Sequence, residues 1–352
     1  MSLAGEIAEQ PAVAERFLGE RRDAVARIAD RLAPRIAAGE LDFVMIAARG
    51  TSDHAAIYAQ YVFGAHLRLP IALAAPSLIS LYGVEPRVER ALVIGISQSG
   101  RSPDIVDSIA AARRQGAPTI AITNEPDSEL AAAAEDVIDL GAGPELAVAA
   151  TKTYTSQLLA VATLVSALEA RITEGAARGG ALEAVPDALR AALKSEPQAE
   201  AVARHLASRD RVIVVGRGFE YATAREFALK LKELARVSAD PYSTADFLHG
   251  PLALVEPGFP VIAVAPSGAA AADIDTLLVR LGELGVDRIV LTDRPKAIAA
   301  ATLGIVLPSG LPEWLMPIAA IVPAQLVAMH LAVARGIDPE APRWIRKVTL
   351  TR

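Results

Sequence analysis

Three serines and a glutamine fall within six consecutive positions of the chain, Ser97, Gln98, Ser99, Gly100, Arg101 and Ser102. Their hydroxyl and amide groups donate hydrogen bonds without a fixed charge, which suits the phosphate monoester of a small molecule. The run follows an apolar, strand-like segment and precedes a helical pattern, and a helix start offers free backbone N–H groups and a positive dipole end. A simple helix cap would need only one serine, so the run favours a phosphate site.

A second chemically capable group lies in the other half of the chain. Residues 221–236 have a helical pattern, which places Glu226, Lys230 and Glu233 on one face at spacing i, i+4, i+7. A carboxylate held there could remove and return a proton. A solvated stripe of ion pairs has the same spacing, and both interpretations stay open at this point.

Two further residues carry side chains suited to acid–base or covalent chemistry. His249 precedes Gly250 and Pro251 in a turn-rich segment between apolar elements, which favours a site over a core histidine. Lys347 lies near Arg343, Arg346 and Arg352, and neighbouring cations favour the free amine that an imine requires. A plain basic tail would have the same composition.

The elements that position these residues repeat along the chain. Gly50 and Gly218 lie 168 positions apart at the ends of two similar apolar runs, and Gly100 and Gly268 have the same separation. Val137 and Ile305 correspond to each other at the same offset. Matched runs at one offset indicate a duplicated structural unit.

Each copy alternates short β-branched runs with longer segments rich in alanine and leucine, which predicts two doubly wound, flavodoxin-like α/β domains with parallel sheets. In such sheets ligands bind at the carboxyl ends of the strands, where Thr51, Ser52 and the serine run fall. The second copy has Ala265-Pro266-Ser267-Gly268 in place of the serine–glutamine run, so we expect a phosphate site in the first copy only. The predicted divisions are a helical segment over 1–40, a first domain over 41–170, a helical connector over 171–204, a second domain over 205–335 and a C-terminal tail over 336–352.

Composition excludes several classes of protein. The net charge is −6 with both signs scattered, which argues against a nucleic-acid partner. The chain has no cysteine, so it has no disulfide, thiolate metal site or cysteine nucleophile. Prolines and polar residues interrupt the most apolar stretch, residues 316–333, which predicts a buried helix rather than a membrane span. An acidic N-terminus without a signal-peptide core suggests a cytoplasmic protein with no membrane partner.

In combination, these motifs resemble the isomerase half of glucosamine-6-phosphate synthase, a tandem of sugar-isomerase (SIS) domains, over essentially the whole chain. The motifs are Glu6-Ile7 with Glu9-Gln10-Pro11, Ser97–Gly100, Ala149–Lys152, Leu229–Glu233, Leu248–Leu254 and Pro342-Arg343 with Lys347. Arg101, Ser102 and residues 75–82 depart from the synthase pattern and look more like stand-alone SIS-type glucosamine-6-phosphate deaminases. The glutaminase half of the synthases has no counterpart here, so we expect no glutamine-dependent synthesis.

The resemblance implies a role for each matched residue. The sugar phosphate and its neighbouring hydroxyls would be bound by Thr51, Ser52, Ser97, Gln98, Ser99 and Ser102, with backbone contacts from Val148 and Ala149. Glu233 would move the proton between C1 and C2, and Glu226 would orient the catalytic groups. His249 would open the sugar ring from the partner subunit of a homodimer, and Lys347 would form an imine with a keto sugar or assist ring opening. No metal or redox cofactor is required.

The expected reaction converts glucosamine 6-phosphate to fructose 6-phosphate and ammonia. One alternative acts on another phosphosugar, either by simple isomerisation or in the ammonia-consuming direction. The other is a non-catalytic sensor that binds a phosphosugar and regulates a partner protein. A sensor has no need of Glu226, Glu233, His249 and Lys347 together, and no DNA-binding helix-turn-helix pattern precedes residue 40.

Overall fold

The computed structural model describes residues 2–173 and 179–347. These residues form two compact units. The first unit takes the described residues of 12–145, 152–183 and 346–352, and the second takes those of 1–11, 146–151 and 184–345. The division differs in detail from the divisions proposed above, which stay predictions. Residues 174–178 of the predicted connector and residues 348–352 of the predicted tail, which include Arg352, lie outside the described residues.

Three helices precede the first strand: α1 (Leu3–Ala8), α2 (Gln10–Glu20) and α3 (Arg22–Ala37). Helix α1 begins after Ser2, whose hydroxyl accepts a hydrogen bond from the N–H of Gly5, as an N-cap does. Helix α3 buries Val25, Ile28 and Leu32 at helical spacing and packs against the helix over Lys152–Ile172 of the same unit.

The first unit contains one sheet of five parallel strands. The strands are β1 (Phe43–Ala47), β2 (Ile71–Leu73), β3 (Ala91–Ile96), β4 (Thr119–Thr123) and β5 (Asp136–Asp139). The helices that follow them are α4 (Thr51–Leu67), α5 (Ser77–Ser80), α6 (Pro103–Arg114), α7 (Glu129–Ala133) and α8 (Lys152–Ile172). Every residue of β3 and β4 is buried, because helices cover both faces of the sheet.

The second unit contains an equivalent sheet. Its strands are β6 (Arg211–Gly216), β7 (Ser238–Ser243), β8 (Pro260–Val264), β9 (Asp287–Thr292) and β10 (Leu303–Val306). Its helices are α9 (Val185–Leu193), α10 (Glu196–Leu206), α11 (Glu220–Ala235), α12 (Thr244–Leu248), α13 (Ala271–Glu283), α14 (Pro295–Ala299) and α15 (Met316–Ala334). Short 3₁₀ turns occupy Gly179–Ala184, Pro251–Leu254 and Glu313–Leu315.

The two sheets have the same strand order. The first runs β2-β1-β3-β4-β5 and the second runs β7-β6-β8-β9-β10, so each strand of one sheet has a counterpart in the other. The predicted pair of doubly wound α/β domains is therefore confirmed. In this topology the chain reverses its direction of winding between β1 and β3, and between β6 and β8, and ligands bind at such switch points.

Helix α15 contains the apolar stretch that the sequence marked as a buried helix. The segment Glu313–Ala334 is long and apolar enough to cross a membrane, with a mean hydropathy of 1.8 over its most apolar window. Of that window, 89% is buried inside the protein, where α15 packs against α9, α10 and α11. Its apolar surface is therefore covered by the core of the second unit.

Candidate active site

The serine run lies at the switch point of the first sheet. Strand β3 ends at Ile96, and the loop 97–102 connects it to α6. Strand β1 pairs directly with β3, and the loop after β1 leads through Gly50 to Thr51 and Ser52 at the start of α4. Because parallel strands place their carboxyl ends at one edge, the two loops lie side by side, as the sequence predicted.

Hydrogen bonds within the loop hold its shape. The Ser97 hydroxyl accepts a hydrogen bond from the N–H of Gly100 at 3.1 Å, and the Ser99 hydroxyl accepts one from the N–H of Arg101 at 3.4 Å. Gly100 has φ +61, and a Cβ at this position would lie 2.0 Å from the Oγ of Ser128. Only glycine fits there, so the loop follows one tight path between strand and helix.

The helix that begins at the end of this loop has an uncapped first turn. Ser102 is the N-cap residue of α6, with extended backbone (φ −74, ψ 110), but its side chain makes no capping hydrogen bond. Its hydroxyl and the N–H of Asp104 are thus available to an anion, whereas Pro103 has no N–H and the N–H of Ile105 donates to the carbonyl of Ser102. On the neighbouring loop, the Ser52 hydroxyl is oriented by the side-chain amide of Gln157 at 3.0 Å.

An arginine near this loop has a partner that sequence reasoning missed. The Arg49 guanidinium donates to the Oδ2 of Asp104 at 2.9 Å, and Asp104 is buried in the first turn of α6. The two residues are 55 positions apart, so local spacing carried no signal of the pair. The pair fixes an arginine beside the serine loop, and both Arg49 and Arg101 are exposed.

The equivalent loop of the second sheet is occupied by the chain's own carboxylates. The N–H of Ser267 donates to Asp293 at 2.7 Å. The N–H groups of Ala269 and Ala270, just before α13, donate to Glu313 at 2.9 and 3.5 Å. This occupation is a physical reason to expect a phosphate site in the first copy only.

Glu226, Lys230 and Glu233 form one connected cluster in the second unit. The Lys230 ammonium lies 3.3 Å from the Oε1 of Glu226 and 2.5 Å from the Oε2 of Glu233. Glu226 and Lys230 are 0% and 1% exposed, whereas the Glu233 side chain is 22% exposed. The alternative of a solvated ion-pair stripe is therefore wrong, because two of its three members are buried in the core.

The protonation state of Lys230 depends on its burial and on the two carboxylates beside it. Burial lowers the pKa of Lys230, but the neighbouring carboxylates of Glu226 and Glu233 more than offset this, so its pKa is raised overall. Lys230 therefore stays an ammonium ion and holds Glu233 in place. Glu233 can act chemically because it is both fixed by that ammonium and accessible from outside.

Lys347 has a different environment from the one expected. Its ammonium donates to the Oε2 of Glu145 at 2.5 Å, and Glu145 is buried within the same unit. The same carboxylate accepts hydrogen bonds from the N–H and hydroxyl of Thr153, at 3.1 and 2.8 Å. The structure thus pairs Lys347 with a carboxylate, and the influence of the neighbouring arginines stays a prediction.

The remaining predicted residues lie on irregular backbone of the second unit. His249 ends α12 and is exposed, and across the described part of the chain its ring has no hydrogen-bond partner. Val148 and Ala149 lie in a bent segment, with Ala149 buried and Val148 partly so. No hydrogen bond between His249 and this segment occurs among the described residues.

The structure thus assembles two groups of predicted residues, one within each unit. The serine loop, the Thr51–Ser52 loop and the Lys347–Glu145 pair belong to the first unit, and the Glu226–Lys230–Glu233 cluster belongs to the second. Sequence reasoning missed Glu145 and Gln157 as supporting residues. The only sequence signal for Glu145 was that it is a single acid within an apolar stretch.

A tandem of doubly wound α/β units, the first with a hydroxyl-lined anion loop at its switch point, defines a class of proteins that bind small phosphorylated ligands. The chain belongs to the SIS-domain family, whose profile matches residues 43–167 and 205–335.

Named relatives cover nearly the whole chain. It is 33% identical over 344 residues to glutamine–fructose-6-phosphate aminotransferase (isomerising) of Pyrococcus horikoshii, which covers 97% of this chain but 56% of that protein. The chain therefore spans little more than half of this relative's length.

Two solved structures share the fold over 96% of this chain, each with a TM-score of 0.84. One, 35% identical and covered over 99% of its length, is a Silicibacter pomeroyi protein provisionally assigned as a phosphosugar isomerase. The other, 27% identical and covered over 96%, is the C-terminal domain of the glucosamine–fructose-6-phosphate aminotransferase of Francisella tularensis.

Proposed function

We propose that the chain is a phosphosugar isomerase that converts glucosamine 6-phosphate to fructose 6-phosphate and ammonia. The observation that carries this proposal is Glu233, an accessible carboxylate fixed by a buried ammonium ion. Moving a proton between two carbons beside a carbonyl requires such a base. The names of the relatives, which concern phosphosugars and an aminotransferase, support the same substrate class.

Binding of the phosphate group is assigned to the first unit. The phosphate accepts hydrogen bonds from the hydroxyls of Ser97, Ser99 and Ser102, from the amide of Gln98 and from the backbone N–H of Asp104 in the first turn of α6. Thr51 and Ser52 extend the same row of donors. Val148 and Ala149 contribute backbone contacts to the sugar.

Ring opening is the first chemical step. It breaks the C1–O5 bond, takes the proton from the C1 hydroxyl and delivers a proton to O5, which leaves an aldehyde at C1. An imidazole serves both transfers, and we assign them to His249 from the partner subunit of a homodimer. Lys347 assists this opening or forms an imine with the keto sugar.

The isomerisation follows on the open chain. Glu233 removes the proton at C2 while O1 gains a proton from solvent, which gives an enaminol. Glu233 then returns its proton to C1 while the nitrogen loses one to solvent, which leaves an imine at C2 and a CH₂OH group at C1. Water adds to the imine carbon, and ammonia leaves with formation of the C2 ketone. Glu226 acts through Lys230 and keeps Glu233 oriented during these transfers.

Ammonia release from glucosamine 6-phosphate in the absence of glutamine tests the proposal. We expect release by the unaltered protein and none by Glu233→Gln, which keeps the size of the side chain and removes its basicity. The exposed Glu283 supplies the matched control, since Glu283→Gln makes the same chemical change and should keep full activity. Both variants should still bind the sugar phosphate.

A simple isomerase is the second candidate, favoured by the relative from Silicibacter pomeroyi, whose assignment mentions no ammonia. Interconversion of glucose 6-phosphate and fructose 6-phosphate without ammonia release would support it against the deaminase. Thermal stabilisation by a phosphosugar without any turnover would instead contradict both enzyme assignments and leave the sensor.

A further inference from the structure

A buried acid on the N-terminal helix contacts the segment that carries Val148 and Ala149. Glu6, in the middle of α1, is 0% exposed. Its carboxylate accepts hydrogen bonds from the N–H groups of Leu146 and Ala147, the latter at 3.2 and 3.3 Å. The helix and this segment, residues 146–151, belong to the same unit.

The physical cost of burying Glu6 shows what the contact does. A buried carboxylate is strongly unfavourable unless hydrogen-bond donors satisfy it, and charge-assisted bonds are among the strongest in proteins. Residues 146–151 belong to no helix or strand, so regular secondary structure does not fix their backbone. The hydrogen bonds to Glu6 instead fix the backbone at the beginning of the segment.

The other end of the segment is fixed through two glutamines. The side-chain amide of Gln10 donates to the Oε1 of Gln325 at 2.9 Å, and Gln325 in turn donates to the carbonyl of Thr151 at 3.4 Å. Both glutamine side chains are buried. The segment is thus attached at its first and last residues, and Val148 and Ala149 lie between these attachments.

We propose that Glu6 is a positioning residue: it fixes the backbone of residues 146–151 so that Val148 and Ala149 meet the sugar phosphate in one conformation. The inference rests on the proposed function, which assigns the substrate contact to these two residues. Glu6 itself touches no reacting atom. Its loss lets the segment sample other conformations, so the substrate binds more weakly while the proton transfer by Glu233 is little altered.

Two measurements on Glu6→Ala and Glu6→Gln test this. Hydrogen exchange of the Leu146–Thr151 amides reports the attachment without any substrate, and steady-state kinetics with glucosamine 6-phosphate reports its consequence. For Glu6→Ala we expect faster exchange and a KM raised roughly tenfold, with kcat within about twofold. Glu6→Gln should lie between, because its remaining oxygen still accepts a hydrogen bond, and it guards against a misfolded alanine variant.

Ile7→Val is the matched control. Ile7 is buried on the same helix, and the loss of one methyl group lowers stability without changing a hydrogen bond to the segment. It should leave both the exchange and KM unchanged. Unchanged exchange in Glu6→Ala, or faster exchange with an unchanged KM, would overturn the inference while leaving the proposed function intact. An unaltered protein that neither binds nor converts the sugar would instead overturn the proposed function, and the inference with it, whatever the exchange shows.

Discussion

Two carboxylic acids of helix α11, in the second unit, differ in their exposure and in their charged neighbours. Glu233, near the end of α11, is partly exposed and paired with an ammonium ion. Glu220, the first residue of the same helix, is 2% exposed. Burial raises the pKa of Glu220 to about 8, the hydroxyl of Thr223 opposes this, and the negative charges of Glu313 and Asp293 add to it.

Glu220 makes stability depend on pH. Its folded pKa lies above its ordinary value of 4.5, so the stability it contributes is fully present below about pH 4.5 and is lost as pH rises through about 8. Glu220→Gln imitates the protonated acid at every pH. The variant should match the unaltered protein near pH 5 and exceed its free energy of unfolding by a few kcal/mol near pH 9.

Urea denaturation at several pH values measures this difference. Glu283→Gln, in which an exposed acid is neutralised in the same way, should follow the unaltered protein throughout. If the free energies of unfolding of Glu220→Gln and of the unaltered protein changed with pH in the same way, Glu220 would already be ionised in the folded state.

At the scale of elements, the serine loop depends on Gly100. Gly100→Ala would introduce both a strained backbone and a collision with Ser128. Gly116, after α6, has a similar φ of +77 but open space around its Cβ, so Gly116→Ala introduces the backbone strain alone. We expect a loss of about 1 kcal/mol from Gly116→Ala and a clearly larger loss from Gly100→Ala.

Gly100→Ala and Gly116→Ala should also differ in phosphosugar binding. Gly100→Ala displaces the donors of the loop and should abolish the thermal shift with glucosamine 6-phosphate, which Gly116→Ala should retain. Equal destabilisation by both substitutions, with binding intact, would show that the loop tolerates a Cβ and is not the rigid anion site described above.

Elements that are buried on both faces could be predicted from the sequence, because their apolar runs are continuous. The apolar runs that precede Gly50 and Gly218 form the strands β1 and β6. Strand β7 was missed, since an edge strand tolerates polar residues and Pro241. Helix α12 was missed within a segment read as turns.

Contacts between distant residues could not be predicted. The Lys347–Glu145 pair spans 202 positions, and no local pattern carries such a separation. The burial of Glu226 and Lys230 was equally hidden, because the spacing of charges on a helix is the same in water and in a core. Residue types alone indicated the serine loop, since its donors are consecutive in sequence.

At the scale of the whole molecule, the proposed homodimer makes a quantitative prediction. His249 is assigned to the partner's site, so in a mixed dimer Glu233→Gln and His249→Ala damage the same site and leave the other site intact. Each variant alone should be inactive. Mixing them under conditions of subunit exchange should restore about a quarter of the unaltered activity, because half of the dimers are mixed and one of their two sites is intact.

The same mixture decides where His249 acts. If the histidine served the site of its own chain, every site in the mixture would lack one catalytic group, and no activity would return. Native mass measurement of the separate and mixed proteins provides the control, since it shows whether subunits associate and exchange.

We expect the occupied loop of the second unit to limit the number of phosphosugar molecules that one chain binds. Duplicated sequence would suggest two binding sites of similar kind in each chain. The N–H groups of Ser267, Ala269 and Ala270 are already engaged by Asp293 and Glu313, so an incoming phosphate would have to displace carboxylates of the chain itself. Titration should therefore give a stoichiometry of one phosphosugar per chain. In the second repeat, carboxylates of the chain itself take the place that a phosphate would occupy.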